Sequence, residues 1–450
     1  MFRLTMQAFR AKLSDKFDKL SPGLRKVTGN MGWLFIDRIV RMGMGLVVGV
    51  WTARYLGPGD FGIFNFGIAF VALFATATTL GLESIIVREL LEKPEHAREI
   101  LGTSIVLRAL SGLLSMFLVV GAVKLLQPQD HLAILIVAIL SPQLLFQAFD
   151  TIDSFFQSEV RSKITVWAKN GAFLICAGVK VILILLHAPL WAFAVATSGE
   201  FGLGAVGLVI GYRVAGGHLA QWKVSRARAK ALIQQSWPII FSAMAIMVYM
   251  RLDMIMLKVM KGDAAVGLYS AATRISEVWY FIPAAVVSSV QPSIIRVKND
   301  PVLFYERQRK LFSLMTVTAC LIGSVVALLS NTIVRLLYSH SYAGAGPVLA
   351  AHVWASVFVF LGVAQSPWNI AHNLLKQSLY HTIAGAVINV VMNLYLIPRY
   401  SVMGAALATV VSYAISSVFA NAFSASMRPI FYMQMRSFLP TRFWKHDIPG

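Results

Sequence analysis

Stretches of about 20 mainly apolar residues recur along nearly the whole chain, separated by short polar turns. A helix rising about 1.5 Å per residue needs about 20 such residues to cross the hydrocarbon of a bilayer. On that rule the pattern predicts twelve spans, near 33–56, 62–82, 102–125, 131–153, 164–187, 189–212, 237–258, 266–290, 311–337, 347–368, 378–397 and 402–425. No connecting loop leaves room for a folded soluble domain. The expected fold is therefore an all-α polytopic membrane protein.

The first span sets the character of the rest. It carries Asp37, Arg38 and Arg41 near its start and Arg54 near its end, and Gly57-Pro58-Gly59-Asp60 forms the turn to a second apolar run opening at Gly62. A charge held in hydrocarbon costs roughly 2.5–3.5 kcal/mol on insertion scales, so such residues face a bundle interior or water. The first span then reads as one wall of a polar cavity.

Composition agrees with the pattern: 57% of the 450 residues are hydrophobic and 13% charged, too little polar surface for a soluble domain. The formal net charge of +20 would suggest nucleic acid on a soluble protein, but no soluble basic face exists here to bind it, so no nucleic-acid partner is expected. Basic loops facing anionic membrane lipids account for the excess. Of the 40 Lys and Arg, 27 fall in the alternate segments that include the N-terminus, 5 in the opposite set and 8 within spans. By the positive-inside rule both termini are cytoplasmic.

Cys176 and Cys320 lie in separate apolar runs, with no disulfide framework or metal spacing. Residues 1–30 lack the short apolar core of a cleavable signal. Met6, Phe9, Leu13, Phe17 and Leu20 recur there at helical spacing among lysines, which reads as an interfacial amphipathic helix or as a disordered basic segment. The basic loop 214–236 divides the spans six and six, giving halves 31–213 and 237–426 of parallel topology, followed by a basic cytoplasmic tail, 427–450. A weak repeat supports this: Gly62-Ile63-Phe64-Asn65 is answered by Gly267-Leu268-Tyr269-Ser270, each after a Gly/Asp-containing turn.

At ARYLGPGDFGIFNF (53–66), LGLESIIVREL (80–90) and RLDMIMLKVMKGDAAVGLYSAATRISEVWYFIP (251–283) the sequence resembles the polysaccharide transporter branch of the multidrug/oligosaccharidyl-lipid/polysaccharide flippase superfamily. These are the flippases for O-antigen, capsule and exopolysaccharide repeat units. The resemblance implies about twelve helices in two six-helix lobes around a central cavity, as in the multidrug branch, and alternating access. It implies residence in the bacterial inner membrane and an undecaprenyl-pyrophosphate-linked oligosaccharide as substrate. A polysaccharide polymerase and assembly machinery are the partners it implies.

Such a substrate needs cations along the path of its pyrophosphate, and arginine suits because its planar fork binds phosphate bidentately. The in-span cations are Arg38, Arg41, Arg108, Lys169, Lys180, Arg251, Arg274 and Arg335. Arg38, Arg41, Lys180, Arg251 and Arg274 are the candidates for the pyrophosphate cavity, Arg41 and Arg274 being deepest. Arg38 and Arg108 sit near the cytoplasmic end, where snorkelling is the competing explanation. Arg335 belongs at the outer interface.

No Walker A motif is present and no cofactor is expected, so energy would come from an H⁺ or Na⁺ gradient or from consumption of the product. Candidate coupling carboxylates are Glu200, Asp253 and Glu277. A structural ion pair with Arg274 competes for Glu277, whereas Glu200 has no partner nearby in sequence. Gln143, Gln147 and Asp150 form one polar stripe, and Asn389 and Asn393 align with His381 in another; these read as sugar contacts or as helix-to-helix hydrogen bonding. Two other functions compete. A cation-coupled drug exporter would want an acidic or aromatic cavity. A polytopic glycan polymerase or ligase would want larger loops and an acidic pair.

Overall fold

The computed structural model describes the backbone of residues 22–439 and the side chains of 41–439 apart from positions 238, 242 and 249. The amphipathic segment expected within residues 1–21, and residues 440–450, lie outside the described residues, as do the side chains of Asp37 and Arg38.

The described residues form helices joined by short turns: α1 (Pro22–Thr79), α2 (Glu83–Glu92), α3 (Ala97–Leu126), α4 (His131–Leu140), α5 (Gln143–Phe146), α6 (Asp150–Ser158), α7 (Lys163–Leu185) and α8 (Leu190–Val214) in the first half. The second half holds α9 (Arg226–Lys261), α10 (Asp263–Glu277), α11 (Phe281–Ile295), α12 (Pro301–Leu337), α13 (Ala345–His352), α14 (Ala355–Ala364), α15 (Ser366–Ala371), α16 (Leu375–Ser417) and α17 (Arg428–Arg436). Nine helical stretches among the described residues are long and apolar enough to cross a membrane. Two of them, Arg41–Glu92 and Leu375–Phe423, each contain two of the expected spans. Splitting these and adding α9 gives the twelve that the hydrophobic pattern predicts.

The breaks are narrower than the sequence implies. In α1 only Gly57 leaves helical geometry (φ 72°, ψ 172°), and Pro58 opens the next helix, where its missing N–H would have had no partner anyway. In α16 the break is Ser401 (φ 51°), just after Pro398. The turn between α9 and α10 repeats the first one: Gly262 adopts φ 84°, ψ −173°. Positive φ is open to glycine without steric cost.

That repeat has a spatial counterpart. Gly62 and Gly267 stand five residues after Gly57 and Gly262. A Cβ on Gly62 would overlap the carbonyl oxygen of Asp263, and one on Gly267 would overlap that of Pro58. Since Pro58 and Asp263 are themselves equivalent positions, the two halves cross through a reciprocal pair of glycine contacts. The weak sequence repeat thus marks a two-fold-like packing of α1 on α10.

The hairpin turns gather on one face and are tied across the halves. Arg54 donates from Nε to the Leu337 carbonyl at 2.6 Å and from Nη2 to the Leu336 carbonyl. Tyr342 Oη donates to Ala53 O at 2.9 Å, and Tyr55 Oη to Ala188 O at 2.8 Å. Lys258, 3% exposed at its side chain, sits between Asp130 (2.5 Å) of the first half and Asp263 of the second. Asp130 also caps α4 by accepting from Ala133 N at 2.9 Å. This hairpin face is closed.

On the opposite, basic-loop face, Arg228 pairs with Glu89 at 2.8 Å and Lys223 N donates to Arg98 O at 3.1 Å. The segment expected as a basic tail begins with α17, which buries Ile430 and Met433 and links Gln434 to Asn421 at 3.0 Å. Its alternation of apolar and polar residues gives it an inward face.

Candidate functional site

A cavity of about 440 Å³ lies between the halves. α1 contributes Arg41, Gly49, Phe61 and Asn65; α7 contributes Phe173 and Lys180; α9 contributes Arg251; and α10 contributes Ser270, Thr273, Arg274 and Glu277. Four of the five expected pyrophosphate cations therefore meet in one chamber: Arg41, Lys180, Arg251 and Arg274. The fifth, Arg38, falls where side chains lie outside the described residues.

Arg274 spans the halves. Its guanidinium carbon lies 5.5 Å from the Phe61 ring centroid, a cation–π distance. It also occupies the place a Cβ would take on Gly49, so that glycine opens the groove it lies in. Arg41 faces the Phe173 ring at 5.5 Å. Aromatic faces thus pack against two of the chamber cations, Phe61 against Arg274 and Phe173 against Arg41.

Two expectations about carboxylates change. Glu200 does have a partner: Arg41 Nη1 lies 3.8 Å from its Oε1. The partner comes from another helix, which local spacing did not reveal. The local Glu277–Arg274 pair does not form among the described residues; Arg274 extends towards Gly49 and Phe61 while both residues line the cavity. Asp253 points away from Arg251, as two-residue spacing requires. Fully buried, it accepts from Met254 N at 2.8 Å, from Tyr269 Oη and from Thr409 Oγ1 at 3.4 Å.

The polar stripes divide. Gln147 and Asp150 line a second cavity of about 210 Å³ with Arg41, Lys169 and Glu200, whereas Gln143 is buried and borders none of the three cavities described here. A 3₁₀ step, Gln147–Phe149, joins the two residues that stay on this cavity. Asn389 and Asn393 are fully buried, with Asn393 Nδ2 donating to Asn389 Oδ1 at 3.0 Å, and they line none of these cavities. That bond lies within α16, and Asn389 Nδ2 and Asn393 Oδ1 have no partner among the described residues.

Arg108 does not snorkel; it is 1% exposed. Lys169 is held between Asp150 (2.7 Å) and Asp153 (2.8 Å). Arg335 is exposed, as expected. Sequence reading missed Gly49, Phe61 and Phe173 as supports of the cations, and the Lys258–Asp130–Asp263 cluster. Neither Lys258 nor Asp130 stands out in the sequence, because their meeting joins residues 128 positions apart.

The arrangement of helices is that of the transporters of the multidrug/oligosaccharidyl-lipid/polysaccharide flippase superfamily. The chain superposes on the lipid II flippase MurJ in its inward closed conformation with a TM-score of 0.73, 15% identity and coverage of 93% of each chain. It superposes on an inward-facing multidrug transporter of the same superfamily with a TM-score of 0.68, 14% identity and coverage of 90% and 98%. A superfamily transporter from Pyrococcus furiosus gives a TM-score of 0.63 at 15% identity, covering 93% and 99%. At the sequence level, the probable flippase AglR of Haloferax volcanii is 28% identical over 203 residues, 44% of this chain and 43% of that relative's length. Residues 27–298 match the model of the polysaccharide biosynthesis protein family, and the chain belongs to that family.

Proposed function

We propose that the protein is a flippase that carries undecaprenyl-pyrophosphate-linked oligosaccharide repeat units from the inner to the outer leaflet of a bacterial cytoplasmic membrane. The observation that carries this reading is the central chamber: among the described residues, Arg41, Lys180, Arg251 and Arg274 converge there against one lining carboxylate, Glu277. A chamber with that charge excess attracts a diphosphate and repels the lipophilic cations a drug exporter would carry. Membership of the polysaccharide biosynthesis protein family and the likeness to a probable flippase support a flippase that serves polysaccharide synthesis.

Alternating access fits a chamber between halves that pivot on the Gly62–Gly267 crossing. With both termini cytoplasmic, the closed hairpin face is the outer one, and the chamber would load from the cytoplasm. The substrate's negative charge, set among the cations, would weaken the Arg41–Glu200 pair and release Glu200 to exchange H⁺ or Na⁺; Asp253 and Glu277 are the further coupling candidates. Each product molecule would then be taken up by a polymerase and its assembly machinery.

The test is the lipid extract of a strain lacking the gene and any second flippase. Accumulation of one complete lipid-linked repeat unit, reversed by the intact gene but not by Arg41→Ala or Arg274→Ala variants that still reach the membrane, is the expected result. Normal lipid profiles, or full complementation by both variants, would refute the reading.

A further inference from the structure

A third cavity, of about 720 Å³, larger than the central one, is lined mostly by the first half, with Ile239 and Ala243 of the second. It lies on the basic-loop side, between α2, α3, α6, α7 and the start of α9. The three cavities share walls: Arg41 borders the central and second, and Asp150 and Lys169 border the second and third. The three cavities therefore adjoin one another in a row from the cationic chamber to the basic-loop side.

The chemistry changes along that row. Among the described residues, the central chamber sets four cations against one carboxylate. The described lining of the third cavity sets Arg88, Arg108 and Lys169 against Glu83, Asp150 and Asp153, an even balance. Its carboxylates accept hydrogen bonds, as in Gln157 Nε2 to Glu83 Oε1 at 3.1 Å and Lys169 Nζ to Asp153 Oδ2 at 2.8 Å. Val87, Leu91 and Ile239 supply an apolar side.

Arg108 is the observation that calls for a ligand. It borders this cavity at 1% exposure, and its Nε and Nη1 have no hydrogen-bond partner among the described residues. The hydroxyls of Ser104, one helical turn away, and of Thr151, beside Asp150, are also unpartnered. Buried polar groups are nearly always paired, and an arginine withdrawn from water with two unused donors is costly. A partner that both accepts from Arg108 and donates to the carboxylates, with no net charge, satisfies the set. Sugar hydroxyls do both, and the carbon faces of sugar rings suit the apolar side. The volume falls within the range of about 300–1,000 Å³ typical of small-molecule sites.

We propose that this third cavity, with Arg108, Glu83, Asp150, Asp153, Gln157 and Lys169 at its wall, receives the uncharged, hydroxyl-rich glycan of the substrate while the diphosphate rests in the central chamber. The inference rests on the flippase reading and divides the substrate between two sites of different charge. Recognition of the lipid anchor and recognition of the glycan are then separable.

The test compares two probes on the full-length protein in lipid nanodiscs. One is the lipid-linked oligosaccharide extracted from a strain lacking the gene; the other is synthetic undecaprenyl diphosphate, the same lipid without its sugars. The glycan should tighten binding to the unaltered protein. Arg108→Gln should reduce that sugar-dependent gain at least tenfold while leaving the sugar-free lipid within twofold. Ser84→Trp, at an exposed rim position, should do the same by filling the space. Arg274→Ala should weaken both probes. A gain that survives in both cavity variants, or no gain in the unaltered protein, would mean that the cavity holds only water and would overturn the inference alone. Equal weakening of both probes by the cavity variants would make it an anion site and also overturn it. Failure of both probes to bind the unaltered protein would overturn the flippase reading and this inference together.

Discussion

The glycine at position 49 shows how a single residue sets the site. Its missing side chain is the space that the Arg274 guanidinium fills. Gly49→Ala should push Arg274 off the Phe61 face, cost about 1–3 kcal/mol of stability as overpacking does, and lower translocation at least tenfold. Gly43→Ala, on the same helix with nothing within 4 Å of the added carbon, should change neither. Thermal unfolding in detergent and repeat-unit export by the two variants check this. Sequence reading identified Arg41, Lys180, Arg251 and Arg274 because charge in an apolar run is conspicuous. It did not identify what positions them. Phe61 and Phe173 look like any apolar residue of a span, and the Arg41–Glu200 pair joins residues 159 positions apart.

At the scale of elements, the twelve spans were legible because a bilayer imposes a minimum apolar length. The breaks within α1 and α16 were placed by their Gly, Pro and neighbouring polar residues. The step in the Gln143–Asp150 stretch was not, since a 3₁₀ turn leaves no mark in an apolar pattern. The Gly62–Gly267 crossing yields a prediction of its own. Gly267→Leu places a large side chain against the Pro58 carbonyl and should force the hairpin face apart. A cysteine at Thr52, buried at the chamber wall, should then react at least fivefold faster with a membrane-impermeant thiol reagent added from outside. Unchanged labelling in a folded variant would show that the crossing does not hold that face shut. At the turn before it, Gly262→Ala should destabilise by about 1–2 kcal/mol, the cost of φ near 84° for a residue with a Cβ.

For the whole molecule, closure of the hairpin face depends on long-range links: Arg54 to the end of α12, Tyr342 to Ala53, and Lys258 to Asp130. None of these was legible in the sequence, because each joins segments more than 100 residues apart. The Asp130 link also has a defined pH range. Burial pushes the Asp130 carboxyl up, but the hydrogen bond from Lys258 and that from Ala133 N outweigh it, and the group ends below its ordinary value of 3.8. A carboxyl whose folded value is depressed stabilises the structure above its unfolded value and loses that contribution as pH falls through the folded one. Closure should therefore be constant from about pH 5 to 8 and weaken only below about pH 4. Asp130→Asn should raise labelling of the Thr52 cysteine across the whole range.

The central claim is that a lipid diphosphate bearing a glycan crosses the membrane through the cationic chamber. Purified protein reconstituted into liposomes, with fluorescent lipid-linked oligosaccharide confined to one leaflet, tests it most directly. The account predicts protein-dependent appearance of the glycan on the other leaflet, read by a membrane-impermeant lectin, and at least a tenfold slower rate with Arg274→Ala. Movement no faster than in protein-free liposomes, or an Arg274→Ala rate equal to that of the unaltered protein, would contradict it.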